Sequence, residues 1–233
     1  MSLPNLSERL LKIAELIPPC NVFLDVGTDH AYLPVYLLKK GICKKAIASD
    51  VKDGPLKSAE KTAELYSVSD LTDIRKGSGF ETVSPKEADA AVVAGMGGIL
   101  IKELMLSSFE TVKQLKTLIL QPMTAVSELT EFLYESGWSI KKEYLAKEGF
   151  KIYHILDVEF RKSAPLSRVE LFMGKDLLES ADPLCREYIS RQIKKLKAEI
   201  SGLSKGKNVD LKLLSEKKSL LLDIENYPER NLI

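Results

Sequence analysis

The residues best suited to chemistry lie in one segment of the chain, VFLDVGTDHAYLP at positions 22–34. An apolar run ends there in an acidic residue and a glycine, and polar residues then lead into a helical pattern. Glycine after a buried strand lets a small ligand approach the backbone closely, while carboxylate and imidazole groups can bind it or move a proton. The candidate residues of this turn are Asp25, Gly27, Thr28, Asp29 and His30.

A second acidic residue, Asp50, ends the next β-rich run, 25 residues after Asp25. A carboxylate at that strand tip can accept hydrogen bonds from both hydroxyl groups of a ribose. The alternative is a helix cap, since Asp commonly precedes helices. The first turn lacks the GxGxxG pattern and the chain has no GxxxxGK[ST] segment, so neither common pyrophosphate-binding loop is present.

Two glycine-rich segments follow the later β-rich runs, GSGF at 77–80 and AGMGG at 94–98. The last run of the parallel set ends in LQPM at 120–123, which has no glycine. Ser78 could bond an adenine edge, and Met96 offers a soft apolar contact beside room for a flat ligand. These glycines might equally form ordinary turns. The candidate residues are Gly77, Ser78, Gly79, Gly95, Met96, Gly97, Gln121 and Pro122.

The elements that must position these residues alternate between strands and helices. Strands are predicted at 22–26, 45–49, 73–76, 88–94 and 118–120, helices at 6–16, 34–40, 55–66, 104–115 and 126–136, and a terminal antiparallel pair at 139–145 and 152–160. Such βαβ units predict an α/β fold, a doubly wound, mostly parallel, seven-stranded Rossmann-like sheet. Its ligand should bind at the carboxyl ends of the strands, where the candidate residues fall.

The character of the chain changes after residues 163–165, Ser-Ala-Pro, so we predict one domain at 1–162 and an appendage at 163–233. Ile189, Ile193, Leu196, Ile200 and Leu203 step by 4, 3, 4 and 3 residues, which is a heptad pattern. A polar break at 204–208 precedes a second helical pattern at 210–225. The appendage is therefore predicted to be an antiparallel, coiled-coil-like helical hairpin.

The net charge of +1 conceals a basic stretch, since ten basic residues face four acidic ones within 186–218. Such a stretch suits a polyanion such as nucleic acid, although a solvated helix face is the ordinary alternative. The residues predicted to contact a nucleic acid are Arg191, Lys194, Lys195 and Lys197.

Three cysteines without a CxxC pair predict reduced thiols in a cytoplasmic protein, and a zinc site is not expected. The amino terminus lacks a signal-peptide pattern. The longest apolar stretch, 90–101, has 12 residues, fewer than the roughly 20 of a membrane-spanning helix. No membrane association is expected.

Together, DVGTDHAYLP, Asp50, GSGF, AGMGG, LQP and KEGFKIYHI at 147–155 resemble, in order and spacing, the bacterial tRNA (adenine-22-N1)-methyltransferase family. The resemblance covers residues 1 to about 160 and weakens over the helical tail. It implies a class I enzyme that uses S-adenosylmethionine, releases S-adenosylhomocysteine and methylates N1 of adenine 22 in tRNA. The tail would help to hold the tRNA.

The resemblance also implies roles for the candidate residues. Asp25, Gly27 and Thr28 would line the methionine end of the cofactor, Asp50 with Val51 the ribose side, and 77–79 the adenine. The methyl group would be faced by Asp29, His30 and Met96, and Gly95 would also contact the cofactor. The target base would meet Met96, Gly97, Gln121 and Pro122.

The reaction requires that adenine N1 lie about 3–3.5 Å from the methyl group, in line with the leaving sulfur. Asp29 could stabilise the positive charge of the product ring or accept a proton, or it could only cap a helix or bind cofactor. His30 could act as a base, or form a pocket wall beside Tyr32. Two other functions stay open: a nicotinamide-dependent dehydrogenase, and an inactive cofactor-binding scaffold with a helical interaction hairpin.

Overall fold

The computed structural model of the protein describes residues 3–205 and 210–227. Within them, seven strands form one sheet in the order β3-β2-β1-β4-β5-β7-β6. The strands β1 to β5 pair in parallel, while β7 runs antiparallel to both β5 and β6. This confirms the predicted seven-stranded, mostly parallel sheet. The strands are β1 Cys20–Val26, β2 Cys43–Asp50, β3 Thr72–Lys76, β4 Ala90–Met96, β5 Thr117–Pro122, β6 Ser139–Glu148 and β7 Lys151–Glu159.

Helices cover both faces of the sheet. Alternate residues of β1 point to opposite faces, so Phe23 packs in the core beneath the first three helices and Leu24 in the core beneath the next three. Both side chains are fully buried. The helices are α1 Glu8–Glu15, α2 Tyr32–Lys39, α3 Asp53–Leu65, α4 Gly98–Ser107, α5 Phe109–Val112 and α6 Val126–Glu135.

The largest difference from the predicted elements lies after β4. The helix predicted at 104–115 begins earlier, at Gly98, and is interrupted at Ser108 before α5. Gly98 is needed there because a side chain at this position would overlap the carbonyl oxygen of Ala125. An ordinary turn was one alternative for the glycines of AGMGG. In the structure, Gly98 instead starts a helix that packs closely against the loop containing Ala125.

The chain divides into two compact units, residues 1–163 and 164–233. The second unit contains α7 Arg168–Met173, α8 Lys175–Glu179, α9 Pro183–Lys205 and α10 Leu211–Glu225. Ion pairs join Lys197 to Glu225 (3.3 Å) and Glu199 to Lys217 (2.7 Å), so residue numbers rise along α9 as they fall along α10. The two helices therefore form an antiparallel hairpin. Most of the break predicted at 204–208 lies outside the described residues.

Leu196 of α9 and Ile224 of α10 are buried within this second unit.

No helix in the described part of the chain has the length and apolar character needed to cross a bilayer. The same residues contain no group of three His, Cys, Asp or Glu side chains arranged to hold a metal ion.

Candidate active site at the carboxyl edge of the sheet

The order in which the chain adds strands to the sheet reverses between β1 and β4. The chain proceeds outward from β1 to β2 and β3, then returns to β4 on the other side of β1. Val26 at the end of β1 lies opposite Ser49 of β2 and Val93 of β4. The turns that follow β1, β2 and β4 therefore meet at one edge, at the topological switch point where ligands bind in such sheets.

The β1–α2 turn forms the base of this edge. The amides of Gly27 and Thr28 both donate to the carbonyl of Ser49 at 2.8 Å, and Gly27 has a left-handed backbone (φ 76°). A side chain at Gly27 would overlap the methyl group of Met96. Glycine at this position thus lets the Met96 side chain of β4 approach the backbone of the turn, while the predicted close approach of a ligand to Gly27 stays a prediction.

Thr28 organises the start of α2. Its buried hydroxyl accepts a hydrogen bond from the amide of Ala31 (3.1 Å) and donates one to Asp25. No side chain caps α2 by accepting the usual hydrogen bond, and Ala31 occupies the cap position. The helix-capping role considered for Asp29 is therefore not what the structure shows.

The half-buried carboxyl group of Asp25 lies in surroundings that disfavour its charged form. The pKa of Asp25 is raised from 3.8 to about 6; burial is the largest cause, and the neighbouring Asp50 carboxylate contributes in the same direction. The hydrogen bond from Thr28 and the positive charge of Arg9 act in the opposite direction. A desolvated carboxylate of this kind gains most from a cationic ligand, such as an ammonium or sulfonium group.

Asp50 stands at the end of β2. Its Oδ1 accepts the amide of Lys52 at 2.8 Å, and its carbonyl accepts the amide of Gly77 at 3.1 Å. The carboxylate therefore shapes the chain just before α3, but it does not cap that helix: Lys52 is the N-cap residue, and no side chain bonds the first amides of α3. Val51 beside it is exposed.

The GSGF loop is held against the sheet by its own residues. Gly79 is buried with φ 54°, and a side chain there would press on Leu104 of α4. Phe80 is fully buried and anchors the loop, while Ser78 remains half-buried beside it. These contacts bring 77–79 to the same edge as Asp50.

Gln121 at the end of β5 is fully buried. Its Oε1 accepts the amide of Gly95 (3.2 Å) and the Arg9 guanidinium (2.6 Å), and its Nε2 donates to the carbonyl of Pro122 (2.9 Å). The amide is thus committed to bonds within the protein. A direct contact between Gln121 and substrate stays a prediction, and the hydrogen bonds instead indicate that Gln121 fixes the β4 and β5 ends.

Arg9 of α1 was missed by the sequence reasoning. Its guanidinium reaches Gln121, lies over the ring of Tyr153 at 5.2 Å, and comes within 4.0 Å of Glu148. Its backbone amide donates to the same Glu148 carboxylate at 2.7 Å. No motif surrounds Arg9 in the sequence, so nothing local could have marked it as a residue of this edge.

Asp29 and His30, the predicted catalytic residues, lie on the outside of the site. Their side chains are 82% and 45% exposed, and His30 Nε2 is 3.4 Å from Asp29 Oδ2. The His30 ring stacks on Tyr32 at 5.3 Å, as the pocket-wall alternative expects. Further exposed apolar side chains are Val51 and Met123 on the turns after β2 and β5, and Ile99 and Leu100 in the first turn of α4.

The basic candidates belong to the second unit. Lys194 and Lys195 are exposed on α9, while Lys197 pairs with Glu225 and Arg191 with Glu187. Their proposed contact with nucleic acid therefore stays a prediction.

The geometry of this edge agrees with what known proteins share with the chain. A family described as a methyltransferase domain matches residues 6–156. The chain belongs to this methyltransferase family. The match covers the whole sheet except its last strand residues, and it includes every turn of the candidate site in the first unit.

Individual relatives are more specific. The chain is 36% identical over 154 residues to the tRNA (adenine(22)-N(1))-methyltransferase of Bacillus subtilis, an alignment spanning 66% of this chain and 65% of that protein. The crystal structure of the B. subtilis m1A22 tRNA methyltransferase is 28% identical, covers 94% of this chain and 98% of its own, and superimposes with a TM-score of 0.84. These comparisons confirm the family resemblance.

A third relative, from M. capricolum, was solved with S-adenosylhomocysteine. It is 27% identical, covers 95% of this chain and 97% of its own, and has a TM-score of 0.75. The structural matches extend over the helical unit, where the motif resemblance weakens. They favour the methyltransferase prediction over the nicotinamide-dependent dehydrogenase.

Proposed function

We propose that this protein transfers a methyl group from S-adenosylmethionine to N1 of adenine 22 in tRNA and releases S-adenosylhomocysteine. The observation that carries the proposal is the desolvated Asp25 carboxylate in the turn formed by Gly27 and Thr28, with Asp50 on the adjacent strand tip. The B. subtilis relative, whose name states this reaction, supports the choice of substrate. That alignment spans 65% of the relative's length, so the substrate and the modified atom are proposals here.

The cofactor would bind along the turns of the carboxyl edge. Asp25, with the Thr28 hydroxyl behind it, would hold the positively charged methionine end. Asp50 would accept hydrogen bonds from the ribose, and exposed Val51 would cover one face of the adenine. The loop 77–79 and the β4 residues Gly95 and Met96 would close the opposite side.

When bound, the cofactor supplies an electrophilic methyl group. The work left to this chain is to hold adenine N1 in line with that group at about 3–3.5 Å. Asp29, exposed at the edge, would offset the positive charge that the ring gains, while stacked His30 and Tyr32 would limit how the base approaches. Met96 and Gly97 would border the base.

The substrate adenine must leave its stack in the folded RNA to reach this edge. We propose that the helical unit, 163–233, binds the flanking phosphates through Arg191, Lys194, Lys195 and Lys197, and that residues 1–162 carry the chemistry. We further propose a cytoplasmic location, which the free thiols of Cys20, Cys43 and Cys185 support.

The decisive experiment incubates the purified protein with unmodified tRNA and S-adenosylmethionine labelled in its methyl group. Label at N1 of adenine 22, located by nuclease digestion and mass spectrometry, is the expected result, and a transcript with guanine at position 22 is the control. Label on another nucleotide would overturn the proposed target. Cofactor binding without methylation of any tRNA would instead favour the scaffold function.

A further inference from the structure

Phe150 is an unusually exposed aromatic residue. Its side chain is 93% exposed, the largest value among the exposed large hydrophobic residues of the described chain. Single exposed apolar residues are common on protein surfaces and need no explanation by themselves. The position of Phe150 in the fold is what suggests a function for its exposed ring.

The turn that carries Phe150 is short and rigid. Glu148 and Lys151 pair across β6 and β7, so only Gly149 and Phe150 form the connection. Gly149 has φ 56° and Phe150 does not enter the left-handed region, as a type II′ turn requires. A two-residue turn restricts the backbone at Phe150, which lowers the backbone entropy that a partner must overcome on binding.

The turn extends past the carboxyl edge of the sheet. Leu120 of β5 lies opposite Leu156 of β7, and β5 ends two residues later at Pro122, at the level of His154. β7 begins at Lys151, three residues beyond that level. At about 3.3 Å per residue, the tip stands roughly 10 Å above the end of β5.

A chain of hydrogen bonds ties this tip to the candidate site. Glu148, the residue before the turn, accepts the backbone amide of Arg9 at 2.7 Å. The Arg9 guanidinium donates to Gln121, which in turn accepts the amide of Gly95. The hairpin end is therefore fixed to the same β4 and β5 ends that border the predicted methyl acceptor.

Two exposed lysines, Lys147 and Lys151, flank the tip. An aromatic ring between cationic side chains is typical of surfaces on which nucleic-acid bases stack while phosphates are bound. Protein interfaces, by contrast, are depleted of lysine around their buried centres. The charge at the tip thus favours RNA over an apolar protein partner.

We propose that Phe150 stacks on an unpaired base next to the methylated adenine and so positions the tRNA over the site. This inference rests on the proposed function, because it takes tRNA as the substrate. The ring replaces a stacking partner that the neighbouring base loses when the target adenine leaves its stack. Lys147 and Lys151 bind the phosphates on either side of that base.

The test compares Phe150→Ala, Phe150→Leu and Phe150→Trp with the wild-type protein. Loss of one base-stacking contact predicts a tRNA dissociation constant about 5- to 100-fold higher for Phe150→Ala. Phe150→Trp should bind at least as well as wild type, and Phe150→Leu should resemble Phe150→Ala because it lacks a π face. S-adenosylmethionine affinity should be unchanged in all three, as should tRNA affinity in the control Leu65→Ala, which shortens a 77% exposed side chain of α3.

A second arm uses tRNAs with an abasic site at position 21 or 23. At the position that stacks on Phe150, removing the base should abolish the difference between wild type and Phe150→Ala. Equal tRNA binding by wild type and Phe150→Ala, or full binding by Phe150→Leu, would overturn the inference. Because tRNA binding is measured directly, these outcomes are separable from a failure of methyl transfer, which would count against the proposed function instead.

Discussion

The candidate site has a floor of buried and partly buried residues and an exposed rim, and the two differ in how their residues are held. The floor consists of Arg9, Asp25, Gly27, Thr28 and Gln121, whose polar groups bond one another or the backbone of neighbouring strands. The rim consists of Asp29, His30, Tyr32, Val51 and Met123, which are exposed. Under the proposed function, the floor would fix the geometry of the cofactor, while the rim would be free to meet a large substrate.

The largest expected effect concerns the backbone of the floor. Gly27→Ala places a methyl group where the Met96 side chain lies and forces an L-residue to adopt φ 76°. We expect S-adenosylmethionine binding at least about 100-fold weaker, because Met96 must move into the space for the ligand or the turn must open. Isothermal titration calorimetry measures this.

Gly54→Ala is the matched control for that variant. Gly54 has a negative φ, and nothing lies within 4 Å of the position its side chain would take. Its cofactor affinity should equal that of the wild type. If Gly27→Ala also bound normally, the floor would not be the cofactor site.

The second prediction concerns the charge of Asp25. Because burial raises its pKa to about 6, the free protein carries a mostly neutral Asp25 at pH 5 and a mostly ionised one at pH 7. If the ionised form binds the cationic cofactor, affinity for S-adenosylmethionine rises about tenfold over that interval. Asp25→Asn should bind about 10- to 50-fold more weakly at pH 7.5 and show a flat profile, measured by calorimetry across pH.

The same substitution should affect stability with the opposite sign. A raised pKa means that ionising Asp25 opposes folding, so the contribution of Asp25 to the free energy of unfolding falls as pH rises from about 4 to about 6. Asp25→Asn should then be more stable by about 1–3 kcal/mol at pH 7.5 and equal at pH 3.5, as determined by urea unfolding. Asp70→Asn, at an exposed position, is the control, and a stability difference between Asp25→Asn and wild type that does not change with pH would contradict the assignment.

A third prediction tests binding outside both floor and rim. Replacing Lys194, Lys195 and Lys197 by Glu should raise the tRNA dissociation constant about tenfold and reduce its salt dependence, without changing cofactor affinity. Filter binding at several salt concentrations measures both quantities. The control with the same change of charge replaces Lys57, Lys61 and Lys86, which are exposed in the first unit. Equal losses in the two triple variants would mean that net charge, not the helical hairpin, governs tRNA binding.

The smallest effect is expected at the rim. Asp29→Ala should lower kcat about 3- to 10-fold and leave the cofactor dissociation constant and the free energy of unfolding within about 0.5 kcal/mol of wild type. Single-turnover methylation with saturating tRNA separates the chemical step from binding. An unchanged single-turnover rate would remove Asp29 from the reaction and leave the rim as a binding surface alone.

Local sequence was sufficient for much of the fold and for the principal turns. The strand that carries Asp25 near its end and the one that ends in Asp50 were expected from apolar runs with acidic residues at their ends, and both lie as expected at one edge. Such short apolar runs could be recognised as strands because they are short and are separated by segments of helix length. The start of α4 was less predictable, since its glycines serve packing against Ala125 and not a simple turn.

The sequence by itself determined the order of strands and helices, the family, and the turns that carry Asp25, Gly27 and Asp50, because each depends on residues adjacent in the chain. Only the tertiary structure showed the hydrogen bond between Arg9 and Gln121, which are 112 positions apart in the chain. It also raised the pKa of Asp25 and set Phe150 above the site edge. Burial, charge environment and strand register arise from packing between distant segments, and no local pattern of residues encodes them.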